Sequence, residues 1–169
     1  FKRMVIRGAT LINGTGSPPI GPVDIVIENN RISEVRGVGY PGVPIKENRR
    51  PKKGDYEIDA SGHYIMPGFV DLHAHAGSPQ KAPVTDYVYK LWLAHGVTTV
   101  RGVGLGSLEF SLSEKKRSKI NEISAPRIWA YQRPGQGKDW KGGPVQDPQA
   151  ARKWVRYAAN KGVDGLKLV

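Results

Sequence analysis

The chain has 169 residues, enough for one ordinary domain or two small ones. Hydrophobic residues make up 38% of it, and no apolar run approaches the ~20 residues that a membrane-spanning helix needs. It has no cysteine, which excludes a disulfide scaffold, a thiolate metal site and a cysteine nucleophile. Any metal ligands must therefore be nitrogen or oxygen atoms, and the four histidines become the first candidates.

The charge is strongly basic, with 26 Lys and Arg against 15 Asp and Glu, a net charge of +11. The basic clusters, at residues 46–53 and 115–119, have the composition of solvated loop and helix faces. They are not interleaved with stacking aromatic residues, and they match no nucleic-acid motif. We therefore predict no nucleic-acid partner and no membrane partner. A basic binding module stays as an alternative, and it would show salt-sensitive retention on a polyanion.

Residues 1–66 have the pattern of a small antiparallel β unit, which we predict as the first domain. Residues 4–12 are β-branched and apolar, and they end at a turn formed by Asn13 and Gly14. A hairpin is predicted from strands 24–28 and 31–35 around Asn29 and Asn30, which tolerate positive φ. Residues 40–54 are rich in Pro, Gly and charge and predict a mobile surface loop, followed by a strand at 56–60.

From residue 67 onward, strand and helix patterns alternate, which predicts a second domain over residues 67–169. The predicted strands are 64–72, 97–100, 127–130 and 166–169, and the predicted helices are 83–95, 108–123 and 147–161. The last helix has Asp147 and Pro148 as N-cap and first residue, and Gly162 as its stop. Such βα units form a parallel sheet, either closed into a barrel or doubly wound, and four of them do not close a (β/α)8 barrel.

His73 and His75 follow an apolar strand directly. Because side chains alternate along a strand, both imidazoles and the carboxylate of Asp71 should project to one face. In an α/β barrel the carboxyl ends of the strands surround the active site, so this pair is placed to bind a zinc-like cation. The alternative is a pair of surface or packing histidines, since the motif is short.

Lys167 lies between Leu166 and Leu168 in an apolar strand. If the leucines face the helices, Lys167 points into the barrel, where an unpaired ammonium costs several kcal/mol unless it is paired, neutralised or chemically changed. Reaction of the neutral amine with carbon dioxide would give an anionic, bidentate carbamate that can bridge two divalent cations. The alternative is an exposed lysine at the end of a strand.

Four further residues are candidates for substrate binding. Arg101 ends the second barrel strand and could bind a substrate carboxylate, although a structural ion pair is an equal alternative. Tyr131, Gln132 and Arg133, just past the third strand, are similar candidates. The glycine-rich run at 102–106 lacks the spacing of a phosphate-binding loop and predicts a flexible loop at the active site.

Four segments together resemble the start of an amidohydrolase-superfamily enzyme. The strongest is Met-Pro-Gly-Phe-Val-Asp-Leu-His-Ala-His at residues 66–75, and it is preceded in matching order by residues 8–16, 24–28 and 58–62. Residues 96–100 and 162–167 fit the second and fourth strands of the branch that contains imidazolonepropionase-like and prolidase-like metal-dependent hydrolases. The resemblance covers essentially the whole chain.

The resemblance implies the first half of a (β/α)8 barrel, preceded by a small β-sandwich that both chain ends build. It implies His73 and His75 as ligands of one metal and Lys167 as a carboxylated bridging ligand, with two divalent ions, zinc by preference, in a complete site. Further histidines and an aspartate general base would come from later strands, beyond residue 169. We therefore expect an N-terminal fragment of a longer enzyme, inactive alone, with the compartment left open.

The predicted function is that of a metal-dependent hydrolase. Its substrate would be a small-molecule amide or dipeptide-like compound, whose C–N bond is cleaved by a metal-activated water. We expect the full-length enzyme to be a homo-oligomer. The alternative is a catalytically inactive scaffold that keeps the fold as a surface for association.

Overall fold

The structure is a computed structural model that describes residues 1–76, 82–103 and 105–168. The chain divides into two compact units, residues 1–67 and 68–169, which are described separately below. No helix in the described ranges is both long and apolar enough to cross a bilayer.

The first unit is a five-stranded sheet with the order β3-β2-β1-β4, in which β5 also pairs with β1. Its strands are β1 (Arg3–Leu11), β2 (Ile20–Glu28), β3 (Arg31–Gly37), β4 (Tyr56–Asp59) and β5 (Tyr64–Ile65). The hairpin of β2 and β3 is confirmed, and Asn29 has the predicted positive φ of 55°. β1 to β3 are antiparallel as expected, whereas β4 and β5 pair parallel to β1. A parallel neighbour requires a long return connection, which residues 38–55 supply.

The segment predicted as a mobile loop contains one 3-10 turn (Glu47–Arg49) and is anchored to the sheet just after it. Arg50 Nη1 lies 3.4 Å from the carboxylate of Asp24, and Arg7 donates to the carbonyl oxygen of Pro51 at 3.0 Å. Asp24 is fully buried and also accepts a hydrogen bond from the Gly8 amide at 2.8 Å. A buried carboxylate needs such partners, and this requirement ties the loop to β2.

The second unit alternates strands and helices, as predicted. Its elements are β6 (Phe69–Ala74), α1 (Ala82–Ala94), β7 (Val97–Val103), α2 (Leu108–Lys119), β8 (Arg127–Gln132), α3 (Pro148–Lys161) and β9 (Gly165–Leu166). All four strands are parallel, in the sequential order β6-β7-β8-β9. This is the first half of an α/β barrel, and it confirms the predicted fold class.

One predicted strand is wrong in its extent. The apolar run at 64–72 is not continuous: β5 ends at Ile65 and belongs to the sheet of β1, and β6 begins at Phe69 and belongs to the parallel sheet. Pro67 lies between them and has no N–H to donate to a ladder. The helix predicted to reach residue 123 ends at Lys119, and Asn121 follows with φ of 56°. Val169, predicted as the end of the last strand, lies outside the described residues.

Helix α3 has the caps that the sequence predicts. The Asp147 carboxylate accepts from the amides of Gln149 and Ala150 at 2.7 and 2.8 Å, and Gly162 ends the helix with φ of 90°. Its apolar side buries Trp154 completely, and the indole N–H donates to the carbonyl of Gln136 at 2.9 Å. Leu108 and Ala158 pack with this indole, so α3 is fixed where β9 can follow it into the sheet.

Only one face of the parallel sheet is covered by its helices. Along β8, Ile128, Ala130 and Gln132 are buried, whereas Trp129, between them, is 47% exposed. Ile128 belongs to the core cluster with Val100 of β7 and Tyr89 of α1. The opposite face of the sheet carries the candidate site.

Candidate metal centre

The candidate site residues lie where the four parallel strands end. The ladder pairs Ala74 with Gly102, Val103 with Tyr131, and Gln132 with Leu166. The Lys167 amide donates to the carbonyl of Gln132 at 2.9 Å and extends the last pairing by one residue. The carboxyl ends of β6, β7, β8 and β9 therefore carry, in that order, His73, Arg101, Tyr131 and Lys167.

Side-chain alternation places these four residues on one face. Ala74, Gly102 and Gln132 are buried toward the helices, so their neighbours in sequence point to the other face. Leu166 pairs with Gln132, and Lys167 next to it therefore lies on the same face as Tyr131.

Three nitrogen atoms converge on this face. Nε2 of His73 lies 3.0 Å from Nε2 of His75 and 3.2 Å from Nζ of Lys167. The two imidazole rings are tilted by 46°, with centroids 5.0 Å apart. The structure thus brings together the three residues predicted from sequence as metal ligands.

Asp71 orients the end of β6. Its carboxylate accepts a hydrogen bond from the backbone amide of His73 at 2.8 Å, which holds the backbone where the strand ends. This carboxylate oxygen is engaged with the backbone. The ladder pairs Asp71 with Val100, a core residue, and is irregular between Asp71 and Ala74, so strand alternation does not place Asp71 on the face of the imidazoles.

The electrostatics of the site favour neutral imidazole at His73. The Lys167 ammonium, partial desolvation and the nearby His75 lower the pKa of His73 below its usual range, and the Arg101 guanidinium acts in the same direction. Asp71 opposes this shift. Neutral imidazole is the form that binds a metal ion, since protonation removes the lone pair.

The donor set fits part of a metal site. Two nitrogen ligands at 2.0–2.1 Å from a tetrahedral ion lie about 3.3 Å apart, close to the 3.0 Å between the two Nε2 atoms. A hydrogen bond between the rings would also give this distance. In the ranges that the structure describes, no group of three or more His, Asp and Glu side chains is arranged to hold a metal.

Lys167 reaches the site although the leucines on either side of it are exposed. Leu166 is 39% exposed and Leu168 is 77% exposed. Lys167 itself is half-buried, and no carboxylate of a described residue lies within 4.0 Å of its ammonium. Its ammonium instead contacts the imidazole of His73.

Arg101 and Tyr131 form a stacked pair beside the histidines. Cζ of Arg101 lies 4.9 Å from the centroid of the Tyr131 ring. Gly165 lies directly against that ring, since a Cβ there would be 2.3 Å from Cε1 of Tyr131. Arg133 is exposed, and it makes no hydrogen bond or ion pair with the residues that the structure describes.

Two further residues position the site: Gln132, which the sequence indicated as a substrate-binding candidate, and Asp164, which was not singled out from sequence. Gln132 is buried at the end of β8, and its amide donates to Ser111 Oγ at 2.7 Å and to the carbonyls of Gly106 and Ser107 at 3.2 Å. It ties β8 to the connection between β7 and α2. Gln132 is buried on the side of the helices, and these contacts hold two segments of the second unit together. Gly104, in the predicted flexible loop, lies outside the described residues.

Asp164 is the second of these residues. Its carboxylate accepts from the Lys115 ammonium at 2.7 Å and from the Ala130 amide at 2.8 Å, while its own amide donates to the Ala130 carbonyl at 2.9 Å. These contacts start the pairing of β9 with β8. Asp164 therefore sets the position from which Lys167 reaches His73.

Comparisons with known proteins agree with this architecture. The chain is 34% identical over 112 residues to an adenine deaminase of Bacillus subtilis (strain 168), a match that covers 58% of this chain and 19% of that protein. A crystal structure of a prolidase complexed with N-methylphosphonate-L-proline matches with a TM-score of 0.67 at 20% identity, over 97% of this chain and 46% of that one. A solved amidohydrolase matches with a TM-score of 0.67 at 22% identity, over 97% and 46%. No protein-family model matches the chain.

The chain spans about a fifth of the curated relative and less than half of the solved chains that it matches. The similarity to the solved structures, at 20% and 22% identity, concerns the fold alone, whereas the similarity to the deaminase is one of sequence. The chain is thus similar in sequence to part of an adenine deaminase, and similar in fold to part of a prolidase and part of an amidohydrolase.

Proposed function

We propose that this chain is part of a metal-dependent hydrolase that cleaves a non-ester C–N bond of a small amide or dipeptide-like substrate. Water adds to the carbonyl carbon, the C–N bond breaks, and a carboxylic acid and an amine are released. The observation that carries the proposal is the convergence of Nζ of Lys167 and Nε2 of His75 on Nε2 of His73, within 3.2 Å. The curated relative is a deaminase and one solved neighbour is a prolidase, and both names denote hydrolysis of C–N bonds.

His73 and His75 would hold one divalent ion through neutral imidazole nitrogens. A bound ion of this kind lowers the pKa of a water molecule toward neutrality and polarises a carbonyl group. The lowered pKa of His73 keeps its lone pair available at neutral pH. The remaining metal ligands and a general base would come from other parts of the full-length protein.

Lys167 would be the bridging ligand after carboxylation. The lone pair of its neutral amine forms an N–C bond to carbon dioxide, and one N–H proton leaves to solvent. The product is an anionic carbamate with two oxygen donors. This change removes a cation that has no carboxylate partner among the described residues, and it explains why a lysine stands beside two metal-ligand candidates.

The test uses the full-length protein, purified with zinc and bicarbonate. We expect two divalent ions per chain by metal analysis, a carbamate signal by NMR after 13C-bicarbonate labelling, and release of amine from an Xaa-Pro dipeptide. The variant Lys167→Ala should lose the carbamate signal and at least one ion. Lys153→Ala, an exposed change on α3, is the matched control and should change neither.

One tightly held ion with an unmodified Lys167 would contradict the bridging role. The catalytically inactive scaffold is the alternative, and it predicts no metal-dependent hydrolysis of any amide, peptide or aminopurine offered to the full-length protein.

A further inference from the structure

Arg101 is a cation without an anionic partner among the described residues. Its Nε is buried and has no hydrogen-bond partner in the part of the chain that the structure describes, and no carboxylate there lies within 4.0 Å of its guanidinium. The side chain is half-buried. An unpaired buried donor costs more than a net hydrogen bond gains, so such a group normally has a partner that satisfies it.

The guanidinium is held in place without that partner. It stacks over the Tyr131 ring at 4.9 Å, and Gly165 lets that ring pack directly against β9. Stacking of this kind fixes the plane of the guanidinium and leaves its edge nitrogens to donate to a planar anion. A lysine has no such plane and would not be equivalent.

The surroundings select for negative charge. Arg101 on β7 and Arg133, which follows the end of β8, both lie at this end of the sheet. The carboxylate of Asp71 on β6 accepts a hydrogen bond from the His73 amide. A ligand entering this face therefore meets cations on β7 and beyond β8, beside the paired imidazoles.

We infer that Arg101 binds a carboxylate of the substrate, and that the substrate class is a dipeptide or N-acyl amino acid and not an uncharged purine. The inference rests on the proposed function and narrows it. β6 and β7 are adjacent strands, about 4.8 Å apart, so the anion site and the imidazole pair are close. In a dipeptide the carboxylate carbon is two bonds from the scissile nitrogen, which matches this proximity.

The experiment uses the full-length, metal-loaded protein and a matched pair of compounds, alanyl-proline and alanyl-prolinamide, which differ in the terminal carboxylate. Wild type should hydrolyse the carboxylate compound with a kcat/KM at least tenfold higher. Arg101→Gln should lose about tenfold to a hundredfold on alanyl-proline, the size expected for a charge-assisted hydrogen bond, and less than threefold on the amide. Arg101→Lys should recover part of the loss.

Arg127→Gln is the control. It also removes one positive charge, but Arg127 is exposed at the first residue of β8, at the opposite end of the strand from the candidate site. It should leave both rates unchanged. Equal losses on both compounds in Arg101→Gln, or no preference in wild type, would overturn the inference.

A binding measurement separates this inference from the proposed function. Calorimetric titration of the metal-free protein with L-proline and L-prolinamide should show binding of the carboxylate compound alone, and Arg101→Gln should abolish it. If wild type hydrolyses neither compound but binds L-proline through Arg101, the proposed function fails while the anion site stands. If it hydrolyses both equally and binds neither, the anion site fails alone.

Discussion

Nζ of Lys167 lies 3.2 Å from Nε2 of His73, although 94 positions separate the two residues in the chain. His73 lies at the carboxyl end of β6, and Lys167 directly follows β9; these are the first and last strands of the four-stranded sheet. A flat sheet would hold these strands about 14 Å apart, three spacings of about 4.8 Å. Their contact on one face therefore requires the sheet to curl toward that face, as the strands of a barrel do.

The histidine pair should determine metal retention. Each of the variants His73→Ala and His75→Ala removes one nitrogen donor, so we expect the affinity for zinc to fall more than tenfold. Equilibrium dialysis of the full-length protein against a chelator, followed by metal analysis, measures this. His63→Ala is the control, because that imidazole is exposed in a turn and contacts the Ser61 carbonyl at 3.0 Å. Unchanged zinc content in both site variants would contradict the assignment.

Asp164 should stabilise the sheet mainly through its hydrogen bond with the Ala130 amide, and less through its ion pair with Lys115. In Asp164→Ala the Ala130 amide loses its partner at 2.8 Å, so we expect a loss of about 1–3 kcal/mol in the free energy of unfolding. Lys115→Met removes only the partly exposed ammonium and should cost less than about 1 kcal/mol. Urea unfolding measures both. Equal losses in the two variants would show that the ion pair, and not the backbone contact, is what Asp164 contributes.

A side chain at Gly165 should lower the free energy of unfolding. A Cβ there would lie 2.3 Å from the Tyr131 ring, so Gly165→Ala must displace the ring or β9 and should cost about 1–3 kcal/mol in stability. Gly37→Ala is the matched control, because a Cβ at that position would meet nothing within 4 Å and its φ is not positive. It should stay within about 0.5 kcal/mol of wild type in urea unfolding. A neutral Gly165→Ala would mean that the ring relaxes freely and does not hold Arg101.

Asp55 should make the first unit sensitive to acid. Hydrogen bonds from the amides of Arg3 and Lys2, at 3.0 and 2.9 Å, lower the pKa of Asp55 below its usual range. Because the folded-state pKa is the lower one, this group stabilises the fold above its unfolded pKa of about 3.9, and the contribution is lost as pH falls through the folded value.

Asp55→Asn should therefore be less stable than wild type at pH 7, and the two proteins should converge as the pH falls through the lowered pKa of Asp55. Urea midpoints across this range measure the difference. A constant difference at every pH would show that the carboxylate charge plays no part.

Several features followed from local sequence because their causes are local. The Asn29 turn, the Asp147 cap and the Gly162 stop each depend on the backbone preferences of a few adjacent residues, and the structure has all three. The alternation of strands and helices in the second unit followed from hydrophobic periodicity in the same way. The ligand candidates were recognised from a short motif and from side-chain alternation.

Features that join distant segments were not readable from the sequence. The run at 64–72 is largely apolar and was predicted as one strand, although a domain boundary was predicted between residues 66 and 67. The strand pairing shows that Pro67 separates two strands of different sheets. The sequence likewise left open which way the leucines beside Lys167 face, and in the structure Leu168 is 77% exposed.

The order of the elements, their caps and the residue types available for metal binding can be read along the chain, because these properties depend on neighbouring residues. Three features arise only on folding: the contact of Lys167 with His73, the packing of the Tyr131 ring against Gly165, and the lack of an anion beside Arg101 among the described residues. They depend on the pairing and curvature of strands, which bring together residues whose separation in sequence carries no information about distance.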